Sequence, residues 1–194
     1  MYYIIPLRSR VARINLSIVY KDKNPSEINK ILKKTYKHFG KLIMEFIRMH
    51  NIRLETKNIK FNKILGEELS SGNGIIFMTA HIGNWEVITS ILNKFNKVTA
   101  IARQQRNNGG DKFFNECRNL HNVSLVSNKG SKRKMLKSLI DNEILLIASD
   151  QNAKKHGTYI NFFGKKCSIP KGAGHFYSST NSKILIGFCI LDED

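Results

Sequence analysis

Short apolar runs, spaced along the chain with helical patterns between them, constrain the fold more than any other feature. Each is too short for a membrane span, and a short apolar run after a turn signal is typical of a buried strand. We predict strands over residues 74–80, 98–102, 123–126, 144–148 and 184–190, and helices over 84–94, 110–121 and 131–140. Strands and helices that alternate along the chain predict an α/β fold with a mostly parallel central sheet flanked by helices.

An amphipathic N-terminal helix is predicted over residues 25–49. Asn24 can cap it, Pro25 suits its first position, and Glu27 stands at its third position. A helix that packs its apolar face in the core and exposes a basic face is the simplest interpretation. A helix that lies on a membrane surface is the alternative. The apolar residues at helical spacing are Ile28, Ile31, Leu32, Phe39, Leu42, Ile43 and Phe46.

Charge and cysteine usage restrict the partners of the chain. Its 194 residues, enough for about one domain, contain 32 Lys and Arg against 15 Asp and Glu, a net charge of +17. Such a charge favours an anionic partner, either nucleic acid or an anionic membrane surface. An AT-rich genome would also explain part of the lysine excess. Cys117, Cys167 and Cys189 stand far apart, so we expect reduced thiols and no metal site.

The first predicted strand is followed by the segment His81-Ile82-Gly83-Asn84-Trp85-Glu86. With His81 at the strand end, Gly83 in a turn and Glu86 in the first helical turn, the imidazole and the carboxylate can meet. Glu86 would then fix the imidazole tautomer, while the other ring nitrogen takes a proton from a substrate hydroxyl. A structural histidine beside a capping glutamate is the alternative interpretation.

Charged and polar side chains also follow the other predicted strands. Arg103 comes after the second strand, Arg118 lies on the next helix, and Asp150 and Gln151 follow the strand that ends at residue 148. Ligands of a parallel sheet bind at the carboxyl ends of its strands. Each residue alone is typical of a surface ion pair, whereas together they favour a site for an anionic substrate.

An aromatic segment and a glycine-containing segment come later in the chain. If the chain is extended at Phe162 and Phe163, their side chains point to opposite faces, one into the core and one into an apolar groove. Packing in the core alone is the alternative for each of them. Gly172 and Gly174 would let the backbone turn sharply or approach a ligand closely, and a plain loop is the alternative.

Taken together, these segments resemble the bacterial lipid A biosynthesis (late) acyltransferases of the lysophospholipid acyltransferase-like superfamily. The central match is Thr79-Ala80-His81-Ile82-Gly83-Asn84-Trp85-Glu86, which resembles the family's H-x4-D/E motif. The remaining matches, in chain order, are Arg8–Leu16, Ala102-Arg103, Arg118, Asp150-Gln151, Asn161–Gly164 and Gly172.

The resemblance implies a glycerolphosphate acyltransferase-like fold and a reaction without a cofactor. A fatty acyl chain would pass from acyl carrier protein to a hydroxyl of a lipid A precursor, at the cytoplasmic face of the bacterial inner membrane. The resemblance implies His81 as general base with Glu86 as its partner, and Arg118 and Asp150 as further catalytic residues. The substrate-binding residues that it implies are Arg103, Asn84, Gln151, Phe162, Phe163 and Gly164.

We expect a single acyltransferase domain over residues 1–194, without the family's N-terminal membrane anchor and C-terminal end. Acyl carrier protein, the lipid A precursor and an anionic membrane surface are its expected partners. Another glycolipid or a lysophospholipid as acceptor is the nearest alternative. A catalytically inactive membrane-surface protein is a further alternative. A nucleic-acid-binding module is disfavoured, because the sequence has neither a known motif nor basic residues interleaved with aromatic ones on one face.

Overall fold

The computed structural model describes residues 8–49, 59–60, 62–102, 105, 107–127 and 131–190. The chain divides into two compact units. Unit 1 comprises residues 1–48 and 161–166, and unit 2 comprises residues 49–160 and 167–194. The expectation of one domain over the whole chain stays a prediction.

Unit 1 contains helices α1 (Ser9–Val19) and α2 (Pro25–Ile47), which pack on each other. Helix α2 begins where the sequence predicts it. The Asn24 side chain accepts hydrogen bonds from the backbone N–H groups of residues 26 and 27, and the Glu27 carboxylate accepts one from the Asn24 N–H. This capping box satisfies N–H groups that a helix start otherwise leaves without partners.

The apolar face of α2 is only partly buried. Phe39 and Ile43, expected on the core face, are 42% and 43% exposed. With the exposed Ile47 they form a row in which every fourth residue is apolar. In the described part of the chain, no helix is both long and apolar enough to cross a membrane. The buried residues of α2 are Ile28, Leu32, Leu42 and Phe46.

Unit 2 is built on a parallel five-stranded sheet. The strands of this sheet are β1 (Ile75–Thr79), β2 (Val98–Ala102), β3 (Val123–Ser127), β4 (Ile144–Ala148) and β7 (Lys183–Ile186), and their order in space is β3-β2-β4-β1-β7. Strands β5 (Thr158–Phe162) and β6 (Lys165–Ile169) form a separate hairpin, of which residues 161–166 belong to unit 1. The helices of unit 2 are α3 (Lys63–Leu69), α4 (Val87–Leu92), α5 (Asn108–Cys117), α6 (Lys132–Ile140) and α7 (Gly172–Thr180).

Alternating side chains of the strands form two apolar cores, one on each face of the sheet. Ile75 and Phe77 face the core that α3 and α4 cover, while Ile76 faces the core that α6 and α7 cover. Both faces of the central strands are therefore buried, which explains why these strands appear in the sequence as continuous apolar runs. The predicted α/β fold with a mostly parallel sheet is confirmed.

The structure differs from the predicted elements in several places, and helix α5 ends at Cys117 where the sequence predicted residue 121. The last strand ends at Ile186, four residues before the expected end. The expected loop at Gly172 and Gly174 is wrong, because both residues lie in the first turn of α7. Neither glycine has a positive φ, and the burial of Ala173 and Phe176 outweighs the low helix propensity of glycine. Helices α1, α3 and α7 and the β5–β6 hairpin were not predicted.

The hairpin turn corrects the expectation for Phe162 and Phe163. Phe163 and Gly164 have positive φ angles of 50° and 72°, so the chain turns here and is not extended. The two aromatic rings meet edge to face with centroids 4.7 Å apart. Their residues are 58% and 51% exposed, so neither packs in a core.

Candidate active site

His81 and Asp150 form a hydrogen-bonded pair at the carboxyl edge of the sheet. Strands β1 and β4 are parallel neighbours, and Thr79 is the register partner of Ala148. His81 and Asp150 each stand two residues beyond these partners, so the register brings them side by side. Nδ1 of His81 lies 2.8 Å from Oδ1 of Asp150, and the His81 backbone N–H donates to Oδ2 at 3.0 Å.

The pair determines which nitrogen of His81 can act as a base. An ionised carboxylate only accepts hydrogen bonds, so Nδ1 carries the proton that is shared with Asp150. In the neutral ring, Nε2 then keeps its lone pair. The amide nitrogen of Gln151 lies 3.5 Å from Nε2, at the outer limit of a hydrogen bond. A substrate hydroxyl can replace this weak contact and deliver its proton to Nε2.

The contacts with His81 lower the pKa of Asp150. Burial raises the pKa of Asp150, but the hydrogen bonds from the His81 ring and backbone, together with the charge of the ring, lower it further than burial raises it. The net result is a pKa below the usual value for an aspartate. The carboxylate is therefore available to stabilise an imidazolium during proton transfer.

Gly83 shapes the turn that follows His81. Its φ is +62°, and a Cβ atom at this position would lie 1.9 Å from the carbonyl oxygen of Cys189. The Asn84 N–H donates to the same oxygen at 2.8 Å. Glycine is therefore required both for the left-handed conformation and for the close approach of the two backbone segments. The predicted position of Gly83 in a turn is confirmed.

Glu86 does not meet His81, and this geometric expectation is wrong. Both carboxylate oxygens of Glu86 accept hydrogen bonds from Arg118, at 2.9 Å from Nε and 2.6 Å from an Nη nitrogen. The turn at Gly83 carries Glu86 to the C-terminal end of α5, where Arg118 offers its planar pair of N–H donors. Asp150 occupies the position beside Nδ1 that the sequence assigned to Glu86.

A cleft of about 1210 Å³ lies beside these two pairs, all within unit 2. This is larger than the about 300–1,000 Å³ typical of small-molecule sites. His81, Glu86, Arg118 and Gln151 line it together with Lys132, which forms no ion pair with any described carboxylate. The polar lining is combined with apolar side chains from the sheet and helices, among them Ile101, Phe114, Leu125, Met135, Leu146, Ile147 and Phe176.

The remaining residues assigned from the sequence have different positions. Arg103 lies outside the described residues. The Asn84 side chain accepts a long hydrogen bond of 3.4 Å from the Val87 N–H at the start of α4. Phe162, Phe163 and Gly164 belong to the hairpin tip in unit 1, and their role in substrate binding stays a prediction. Among the described residues, no group of His, Cys, Asp or Glu side chains is arranged to hold a metal ion.

Sequence reasoning missed the pairing of His81 with Asp150, although it named both residues. It also missed the cleft position of Lys132 and the contacts of Trp85. The signal for Asp150 was its place after an apolar strand, which is the same signal that selected His81. The order of the strands was needed to bring the two together.

Comparison with known families identifies the chain. The family model of bacterial lipid A biosynthesis acyltransferases matches residues 1–194, which confirms the resemblance seen in the sequence motifs. No curated protein gives a significant match. The chain therefore belongs to the bacterial lipid A biosynthesis acyltransferase family, whose chemistry is acyl transfer.

Proposed function

We propose that the chain transfers a fatty acyl chain from acyl carrier protein to a hydroxyl of a lipid A precursor, with His81 as the general base. The observation that carries this proposal is the bond from Nδ1 of His81 to Asp150, because it leaves the lone pair of Nε2 beside the cleft. Membership of the family supports acyl transfer as the reaction and a lipid A-type molecule as the acceptor.

In the proposed reaction the acceptor hydroxyl attacks the carbonyl carbon of the donor thioester, while Nε2 of His81 takes the hydroxyl proton. Asp150 stabilises the imidazolium that forms. Collapse of the tetrahedral intermediate breaks the C–S bond, and the imidazolium returns the proton to the departing thiolate. One hydroxyl and one thioester become one ester and one thiol. The thioester is already activated, so the protein mainly positions the two reactants and needs no cofactor.

Arg118 has a separate role in this proposal. Its guanidinium places positive charge in the cleft lining, where it attracts a phosphate of the acceptor or the developing oxyanion. Glu86 holds the guanidinium in place through its two hydrogen bonds. Glu86 is thus a positioning residue for Arg118 and not a partner of the base.

We also propose that the anionic partner is the cytoplasmic surface of the inner membrane. The exposed row of Phe39, Ile43 and Ile47 on α2 can enter the headgroup region, as an amphipathic helix does. The net charge of +17 adds attraction to anionic lipids, and that attraction weakens as salt concentration rises.

The first test is acyl transfer from a panel of acyl carrier protein donors to a lipid A precursor, with a second glycolipid and a lysophospholipid as other acceptors. We expect transfer to the lipid A precursor, and a loss of at least about 100-fold in His81→Ala. His121→Ala, an exposed histidine on the loop after α5, is the matched control and keeps wild-type turnover. Unchanged turnover in folded His81→Ala rules out His81 as the base. No transfer to any acceptor by the folded wild type contradicts the proposed reaction.

A further inference from the structure

Trp85 lies between the two charged pairs of the site. Its ring centroid is 5.1 Å from that of the His81 imidazole, with the two planes inclined at 59°. Its indole N–H donates a hydrogen bond of 3.2 Å to Oε1 of Glu86. One half-buried side chain therefore contacts a member of each pair, and it also lines the cleft.

The ring contact restricts a rotation of the His81 imidazole that the hydrogen bonds to Asp150 leave free. Rotation about the last torsion of a histidine side chain has a broad energy minimum, and the bond at Nδ1 fixes only one edge of the ring. A neighbouring aromatic ring at this distance favours particular tilts. Trp85 thereby limits the directions in which Nε2 of His81 can point.

The indole N–H completes the environment of Glu86. Oε1 of Glu86 accepts from both Trp85 and Arg118, and Oε2 accepts from Arg118. A carboxylate held at both oxygens keeps a fixed plane, and so does the guanidinium bound to it. The position of Arg118 therefore depends in part on the indole N–H.

We propose that Trp85 is a positioning residue that couples the His81–Asp150 pair to the Glu86–Arg118 pair. Its ring aims Nε2 of His81, and its N–H orients the carboxylate that holds Arg118. The roles of His81 and Arg118 in this inference rest on the proposed function, whereas the coupling itself is a property of the resting protein. A second reading is core packing alone, since Trp85 also touches the apolar cluster of Ile75, Phe77 and Ile88.

Two substitutions separate the ring from the N–H. Trp85→Phe keeps a ring beside His81 and removes the donor to Glu86. We expect kcat within about threefold of wild type and a KM for the lipid A precursor about tenfold higher, the effect of one charge-assisted hydrogen bond. Trp85→Leu removes both contacts, and we expect kcat to fall about 100-fold, as misplaced catalytic groups do.

The control for core packing is Phe95→Leu. Phe95 packs against the same apolar cluster as Trp85 and does not line the cleft. We expect it to lower Tm as Trp85→Leu does, with kcat and KM unchanged for the folded fraction. If both Trp85 variants keep wild-type kcat and KM per folded molecule, the coupling is refuted and Trp85 only packs. If Trp85→Leu does not fold, the KM of Trp85→Phe still distinguishes coupling from core packing.

Fluorescence tests the ring contact without any acyl transfer, because Trp85 is the only tryptophan of the chain. An imidazole in contact with an indole ring changes the surroundings of the indole, so at a single pH we expect the emission of His81→Gln to differ from that of the wild type. His121→Gln, at an exposed histidine, is the control and keeps the wild-type emission. Equal emission from His81→Gln and the wild type overturns the contact even if the wild type transfers acyl chains. A His81-dependent difference in emission, in a protein whose wild type transfers nothing, supports the contact and contradicts the proposed function.

Discussion

Strand β4 carries a carboxylate near each of its ends, and the two carboxylates are used differently. Glu143, directly before the strand, is 7% exposed. Its oxygens accept from Lys97 Nζ at 2.5 Å and from Thr99 Oγ1 at 2.8 Å. Asp150, two residues after the strand, has a side chain that is 35% exposed. It binds His81, whose second ring nitrogen remains beside the cleft.

The contrast shows what separates a stabilising ion pair from a reactive one. At both ends each carboxylate oxygen has a protein donor. At Glu143 the donors are an ammonium and a hydroxyl, so the buried network is closed and its contribution is to stability. At Asp150 the donor is an imidazole that can still take a proton at Nε2, so this network ends on the group proposed as the base. Exposure and the identity of the donor make the difference, since the same strand positions both carboxylates.

The largest expected effect is on turnover, in Asp150→Asn. The amide cannot stabilise an imidazolium as a carboxylate does, and its NH₂ group favours the wrong tautomer of His81. We expect kcat for acyl transfer to fall about 10³-fold with little change in Tm. Asp141→Asn, which removes an exposed pair with Lys137 on α6, is the control and keeps wild-type kcat. Wild-type kcat in Asp150→Asn would show that His81 works without this partner.

The next effect distinguishes Glu86 from Asp150. In Glu86→Gln the amide keeps one acceptor but loses the charge that holds Arg118, so we expect kcat/KM to fall about tenfold to 100-fold, largely through KM. Glu116→Gln, which loses an exposed pair with Lys112, serves as control. If Glu86→Gln instead lowers kcat as far as Asp150→Asn and leaves KM unchanged, Glu86 belongs with the base after all.

Local patterns predicted most of the sheet because each pattern depends only on consecutive residues. Strands β2 and β4 have the predicted bounds, since buried central strands are apolar along almost their whole length. The capping box at Asn24 likewise needs only neighbouring residues. Helix α7 was missed because its start is rich in glycine, and burial against the sheet outweighs that local preference.

The site could be predicted only in part, because its pairs join distant segments. The sequence identified His81, Arg118 and Asp150 from their places near strand ends. Glu86 was assigned to His81 because the two are close in the chain, yet its partner Arg118 is 32 residues away. The pairing of His81 with Asp150 follows from the adjacency of β1 and β4. Strand order is set by tertiary packing and cannot be read from the apolar runs.

A smaller effect, on stability alone, is expected at the other end of β4. In Glu143→Gln the buried side chain keeps one acceptor oxygen, whereas Lys97 and Thr99 each donate to a separate oxygen in the wild type. We expect the free energy of unfolding to fall by about 1–3 kcal/mol, measured by urea denaturation, with kcat unchanged for the folded protein. Glu67→Gln, which loses an exposed pair with Lys63, is the control. A loss of kcat without a loss of stability would mean that the two ends of β4 do not differ in the way proposed here.

The smallest effect is on the pH dependence of stability, and it has opposite signs at the two ends of β4. The pKa of Asp150 is lowered in the folded protein, so its contribution is complete above the unfolded pKa of about 3.9 and is lost as pH falls through the folded pKa. The pKa of Lys97 is raised, first by its hydrogen bond with Glu143 and then by the charge of that carboxylate. Its contribution is complete below about pH 10.4 and is lost as pH rises through the folded pKa.

Urea unfolding over a series of pH values separates the two contributions. Asp150→Asn should flatten the acid side of the stability profile and leave the alkaline side unchanged. The flattening should amount to less than about 1 kcal/mol, because solvent screens a pair that is one-third exposed. Lys97→Gln should flatten only the alkaline side. If Asp150→Asn leaves the acid side unchanged, the bond between Asp150 and His81 does not lower the pKa of the carboxylate in the folded protein. The open end of β4 would then lack the hydrogen bond on which the proposed tautomer of His81 depends.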